Sequence, residues 1–248
     1  MSETPAMERK HSEERLHKTK AGFGKFTNYL REFVYGGMDG SVTTFAVVAG
    51  AEGAHLGSTV IIILGFANLL ADGFAMSIGS YLSSKSDNDN YERHKKTEYW
   101  EVENIPEAER EEIREIYRQK GFEGELLEDV VKVITADKDR WVNVMMKEEL
   151  QMIPENKSPF AMGAATFISF VLVGLIPLMS YVADSFVPLN NTFAISAILT
   201  TLAFIIIGMV KTKVTQTSIW KGVLETLILG CTAAVVSYLV GFLLENFV

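Results

Sequence analysis

The sequence predicts an all-α integral membrane protein, with five transmembrane helices and an acidic, water-facing helical domain inserted between the second and third. Three observations carry this. Hydrophobic residues make up 48% of the 248-residue chain and collect in five long blocks, so the mean hydropathy is slightly positive although 22% of residues are charged. Charge is segregated as strongly: residues 83–158 hold 20 acidic and 13 basic side chains, −7 of the net charge of −8. Finally, five spans put every basic connection on one side of the membrane, as the bias of lysine and arginine toward the cytoplasm requires.

Residues 1–31 form a polar tail with no apolar core ahead of a cleavage site, so no secretory signal is expected. A hydrocarbon layer about 30 Å thick needs about 20 apolar helical residues. The candidate spans are Glu32–Gly50, Ser58–Leu82, Pro159–Ala183, Asn191–Val210 and Gly222–Phe247, of which the third and fourth carry no charge. The connections Ala51–Gly57 and Asp184–Asn190 contain no lysine or arginine, whereas Lys211–Lys221 has three lysines and the tail has seven basic residues before Glu32. The expected division is therefore a cytoplasmic tail (1–31), helices 1–2 (32–82), a cytoplasmic insert (83–158) and helices 3–5 (159–248). Pro177 should kink the third span, because its ring removes a backbone hydrogen bond. The spacing Gly36-x-x-x-Gly40 permits close helix approach, either as ordinary packing or as a dimer or pathway seam.

Composition excludes several function classes. The single Cys231 leaves no disulfide framework and no cysteine-rich zinc site. An acidic domain opposes nucleic-acid binding and favours cations. Two Glu-x-x-His patterns, Glu8–His11 and Glu14–His17, have the ligand spacing of di-iron bundles but lack the glutamates on facing helices that such a bundle needs. They read as incidental.

Ionisable groups within the apolar blocks point to function. Asp39 lies about two turns into the first span and Asp72 in the middle of the second. A lone carboxylate at mid-membrane costs about 2.5–3.5 kcal/mol on insertion scales, so it is retained where it meets a partner, water or an ion. Asn68, Asp72 and Met76 recur at four-residue spacing and form one stripe. Glu32 and Asp39, seven apart, share a face of the first span. Oxygen with thioether suits a transition metal better than Ca²⁺ or Mg²⁺. The competing reading has the aspartates protonated and Met76 as packing. Glu225 and Glu245, near the ends of the last span, are expected to reach water.

The insert reads as amphipathic helices over Leu82–Asn104 (continuing the second span), Pro106–Gly121, Gly124–Thr135 and Asp137–Ile153. Glu98 with Glu101, and Glu109 with Glu112, share helix faces, and Met145 and Met146 stand close before Glu149. Several such carboxylate pairs could hold metal, or could be a solvated face; His94 and Glu98 read as a surface pair. The residues alone leave both open.

The chain resembles the vacuolar iron transporter family, from about Arg31 to the C-terminus. The resemblance rests on Met38-Asp-Gly-Ser-Val-Thr-Thr-Phe45, on Asp72-Gly-Phe-Ala-Met-Ser-Ile-Gly-Ser-Tyr-Leu82 and on Met145-Met-Lys-Glu-Glu-Leu150. It implies a homodimer in the lipid bilayer, of a vacuole or a bacterial plasma membrane, that exports Fe²⁺ from the cytosol in exchange for protons. Neither enzymatic activity nor a catalytic residue is expected. The resemblance puts Glu32, Asp39 and Met76 in the transport pathway, with Asn68 and Asp72 beside them. It makes the insert a metal-binding domain, with Glu98, Glu101, Glu109, Glu112 and Glu149 as ligands alongside Met145 and Met146. The chain departs from plant-type members at Asn68, where they carry a glutamate; Asp72 lies one turn later. Manganese, cobalt and zinc could use the same donors, so a Mn²⁺-preferring transporter is an alternative. A membrane-tethered iron-binding or iron-oxidising protein is another, and a non-transporting sensor or scaffold a third.

Overall fold

A computed structural model describes residues 29–155 and 157–247, and among these it contains nine α-helices and no strand. They are α1 (Leu30–Gly53), α2 (Ser58–Asn104), α3 (Pro106–Gln119), α4 (Gly124–Thr135), α5 (Lys138–Glu148), α6 (Pro159–Gly174), α7 (Ile176–Asp184), α8 (Thr192–Thr215) and α9 (Ile219–Glu245). The patterns at Glu8–His11 and Glu14–His17 lie outside the described residues. The chain divides into two compact units, Leu82–Ser158 and the remainder. The 47 residues of α2 contribute to both.

In the larger unit α1 is central, lying against α6, α8 and α9. Small residues make this possible. A methyl group added at Gly40 would come within 2.3 Å of the Phe170 carbonyl oxygen, and one at Gly53 within 2.2 Å of the Tyr238 carbonyl oxygen. Backbone touches backbone near the middle of α1, on α6, and at its end, on α9. Gly36 likewise meets Thr166 and Ser169, so the Gly36-x-x-x-Gly40 spacing serves helix packing within the chain. Val48, Ile61, Leu69, Phe170, Leu178 and Tyr181 fill the core beside it.

The third expected span is bent, as Pro177 predicts, and divides into two helices. α6 and α7 meet at a 44° bend around Leu175, two residues before Pro177, whose missing N–H leaves the Val173 carbonyl without its helical donor. The Pro177 carbonyl itself accepts from buried Ser196 Oγ of the following helix at 2.6 Å. Other limits shift modestly. α8 runs past Val210 to Thr215 and stops where Gln216 turns left-handed (φ 56°). Among the described residues, three helices (α2, α8 and α9) are long and apolar enough to cross a membrane, and the bent pair makes a fourth if counted as one span. α1 falls short of that standard, since Asp39 and five glycines dilute its apolar residues.

The smaller unit joins the end of α2 to α3, α4 and α5 around a core of Val102, Ile113, Leu127, Val131, Ile134, Trp141, Val142, Met145 and Met146. Pro106 opens α3 and Asp137 caps α5, accepting from the Arg140 N–H at 2.7 Å. α5 ends at Glu148, short of Ile153: Gln151 is left-handed (φ 53°), and the Met152 N–H turns back to the Met146 carbonyl at 2.7 Å. Glu149 is thus a helix cap and not an interior residue.

Candidate metal centre

Two glutamates occupy positions that helical periodicity assigns to the core. On α2 Glu98 lies one turn before Val102, and on α3 Glu109 lies one turn before Ile113; both apolar residues are buried. Glu98 is only 4% exposed and Glu109 3%. Oε2 of each is buried without a hydrogen-bond partner among the described residues, an arrangement that costs stability unless something else satisfies the oxygen. Glu101 completes the group, and one carboxylate oxygen from each of the three lies within 4.8 Å of the others. Oxygens on opposite sides of one divalent cation are about 4 Å apart, so the spacing suits a shared ion.

The electrostatics agree with the geometry. Burial, and then Glu149, Glu101 and Glu112, push the Glu98 carboxyl up to about 7. Burial, followed by Glu112, Glu101, Glu98 and Glu149, does the same to Glu109, also to about 7. Glu149 is raised too, by partial burial and then by Glu112 and Glu101. Five carboxyls therefore act on one another, though only Glu98, Glu101 and Glu109 form the tight group. Glu112 and Glu149 are exposed at its margin. Met145 and Met146 are fully buried in the adjoining core. Arginine occupies the outer faces instead: Arg114 pairs with Glu111 and Glu128, and Arg118 with Glu115. The outer glutamates are thus paired with arginine, while none of these arginine pairs involves the carboxyls of the cluster.

Side chains that the sequence did not single out hold this group in place. Tyr99 donates to Asp139 Oδ1 at 2.6 Å, and Lys138 pairs with Glu103, tying α5 to α2. Trp141 is buried with Arg110 over its ring, 5.5 Å from the centroid.

In the larger unit, half-buried Asp39 and Asp72 come within electrostatic reach of each other. Glu32 is buried at the start of α1. Asn68 Nδ2 is buried with no hydrogen-bond partner among the described residues. Met76 packs against the core that contains Leu69 and Phe170, so part of its surface serves packing.

The family model described as the VIT family matches residues 30–242. The chain belongs to the VIT family. Its VIT relatives include proteins named vacuolar iron transporter from Plasmodium falciparum (isolate 3D7), 32% identical over 225 residues, covering 88% of this chain and 82% of the relative. The one from Toxoplasma gondii (strain ATCC 50861 / VEG) is 34% identical over 227 residues, 88% and 75%. Vacuolar iron transporter 1 of Arabidopsis thaliana is 30% identical over 210 residues, 84% and 83%. With its apolar helices, this VIT-family chain is an integral membrane protein.

Proposed function

We propose that this chain is a proton-coupled transition-metal transporter that exports Fe²⁺ from the cytosol. The group formed by buried Glu98 and Glu109 with half-buried Glu101 carries the reading, supported by VIT-family membership and by relatives named for iron transport. Its ligand set extends to Glu112 and Glu149, with Met145 and Met146 supplying thioethers. The layout is five spans: α1, the Ser58–Leu82 part of α2, the bent α6–α7 pair, α8 and α9. Loop charge puts the tail and the Glu/Met domain in the cytoplasm. Two chains pair, and the route through the membrane runs past Glu32, Asp39, Asn68, Asp72 and Met76.

Metal and protons compete for the same carboxylates, so loading of one releases the other. A proton gradient directed from the far side then drives export. Asp39 and Asp72 repel when both are ionised, which favours a bound cation or a proton between them. The deciding measurement is metal flux in proteoliposomes under an imposed pH gradient, with Fe²⁺, Mn²⁺, Co²⁺ and Zn²⁺ compared. Asp39→Ala is expected to abolish gradient-driven flux; retained flux would sink the mechanism. Faster Mn²⁺ than Fe²⁺ flux would make it a manganese transporter of the same type. Oxygen consumption on adding Fe²⁺ would favour an oxidase instead.

A further inference from the structure

The broken third span carries a polar fastening that the transport path does not use. Beyond the 44° bend, Tyr181 on α7 is only 1% exposed and donates its hydroxyl to Glu52 Oε2 on α1 at 3.0 Å. Three residues later Asp184 Oδ2 accepts from Ser58 Oγ, the first residue of α2, at 3.1 Å. Its Oδ1 accepts from the Leu189 N–H at 2.8 Å, closing the turn that follows α7. A nine-residue half-helix is thus attached at its far end to the end of α1 and the start of α2. At its near end the helical ladder is interrupted at Pro177.

We infer that α7 is a hinged gate of the transport path, pivoting at Leu175–Pro177, and that the Tyr181–Glu52 hydrogen bond is the latch that holds it closed. The inference rests on the transport reading for its purpose, but the latch itself is a property of the fold. A proline break removes one helical bond at the pivot, where the Leu178 N–H instead donates to the Leu175 carbonyl at 3.0 Å, so the half-helix swings at lower cost than an unbroken one. α7 packs against α8 and α1, and at the pivot its Pro177 carbonyl is held by Ser196 Oγ of α8. The Tyr181–Glu52 pair holds the far end, because opening leaves the buried Tyr181 hydroxyl without its acceptor. Glu52 and Tyr181 are therefore positioning residues that set how often the far end of the path opens. Ser180, next to the latch, is 2% exposed and its Oγ has no hydrogen-bond partner among the described residues, so it reports on opening without taking part in it.

The test uses the full chain, purified in detergent, with Cys231→Ser to remove the only native thiol and Ser180→Cys as reporter. A small charged methanethiosulfonate reagent should label this thiol slowly. Adding Tyr181→Phe, which keeps the ring and removes the hydroxyl, is expected to speed labelling about tenfold or more, the factor expected for losing one hydrogen bond to a charged acceptor. Glu52→Ala should do the same. Glu52→Gln keeps an acceptor oxygen and should restore slow labelling, which separates a latch from general loosening. Equal labelling rates in Tyr181→Phe, Glu52→Ala and the parent would overturn the latch. So would fast labelling of Glu52→Gln in a protein that remains monodisperse. Flux is read on the same variants in proteoliposomes: faster labelling with altered flux supports the gate, and faster labelling with unaltered flux overturns the gate while leaving the transport reading in place.

Discussion

Glu98 and Glu109 show how a site can be recognised from single residues that oppose the stability of their own fold. Each takes a core position, each has a carboxyl raised from 4.5 to about 7, and neither has a hydrogen-bonding partner on its buried oxygen among the described residues. Between pH 4.5 and 7 the folded, metal-free chain holds protons that the unfolded chain has released, so folding stability is expected to fall as pH rises through that window. Above it the loss is complete, and a bound cation recovers it. Two outcomes follow. Metal affinity, measured by calorimetry on the detergent-solubilised chain, should drop as pH is lowered from 7.5 to 6, by about tenfold per pH unit for each proton displaced. Glu98→Gln should raise the melting temperature of the metal-free protein at pH 8, by the equivalent of about 1 kcal/mol or more, while weakening metal binding. Stability and binding moving in opposite directions is what a merely structural glutamate would not give. The spacing of Glu98 and Glu109 was legible in the sequence. Their burial was not, because a glutamate one turn from a valine or an isoleucine is common on solvated helices.

At the scale of helices, small residues decide which pairs meet. Gly40 is in contact with the Phe170 backbone, which cannot move aside as a side chain would. Gly40→Val is expected to push α1 from α6 and lower stability by about 1–3 kcal/mol, read as a fall in melting temperature in detergent. At Gly79 an added Cβ meets nothing within 4 Å, and Gly79→Ala should leave the isolated chain's stability unchanged or slightly raised. Most helix limits were readable from local chemistry. Ser58 begins α2, Pro106 begins α3, and α4 covers Gly124–Thr135 as the periodicity predicts. The early end of α5 was hidden, since Leu150 and Gln151 carry no stop signal and the left-handed turn there is fixed by the Met152–Met146 hydrogen bond. Pro177 announced a bend in the third span, but not its position upstream at Leu175.

For the whole molecule, the proposed five-span layout makes a directional prediction. Single cysteines placed at Leu56 and at Thr217, in a Cys231→Ser background, should react with an impermeant thiol reagent from opposite sides of sealed vesicles. Labelling of both from one side would refute the layout. The proposed division of labour is tested similarly. Replacing Glu98, Glu101 and Glu149 together should reduce metal binding strongly while leaving measurable flux, because the aspartates that the path needs lie in another part of the chain.

The sequence by itself determined the apolar blocks, the acidic insert, the helical periods and the residue types able to bind a cation. All of these are properties of neighbouring residues: hydropathy, charge, and spacings of three, four or seven. That Glu98 and Glu109 are buried beside Glu101, that Asp39 lies within electrostatic reach of Asp72, and that Tyr181 reaches Glu52 across 129 positions of sequence depended on the tertiary structure. The reason is physical. Local spacing fixes which face of a helix a side chain lies on, but the partner opposite that face is chosen by packing, through glycine contacts and a proline break whose consequences extend far along the chain.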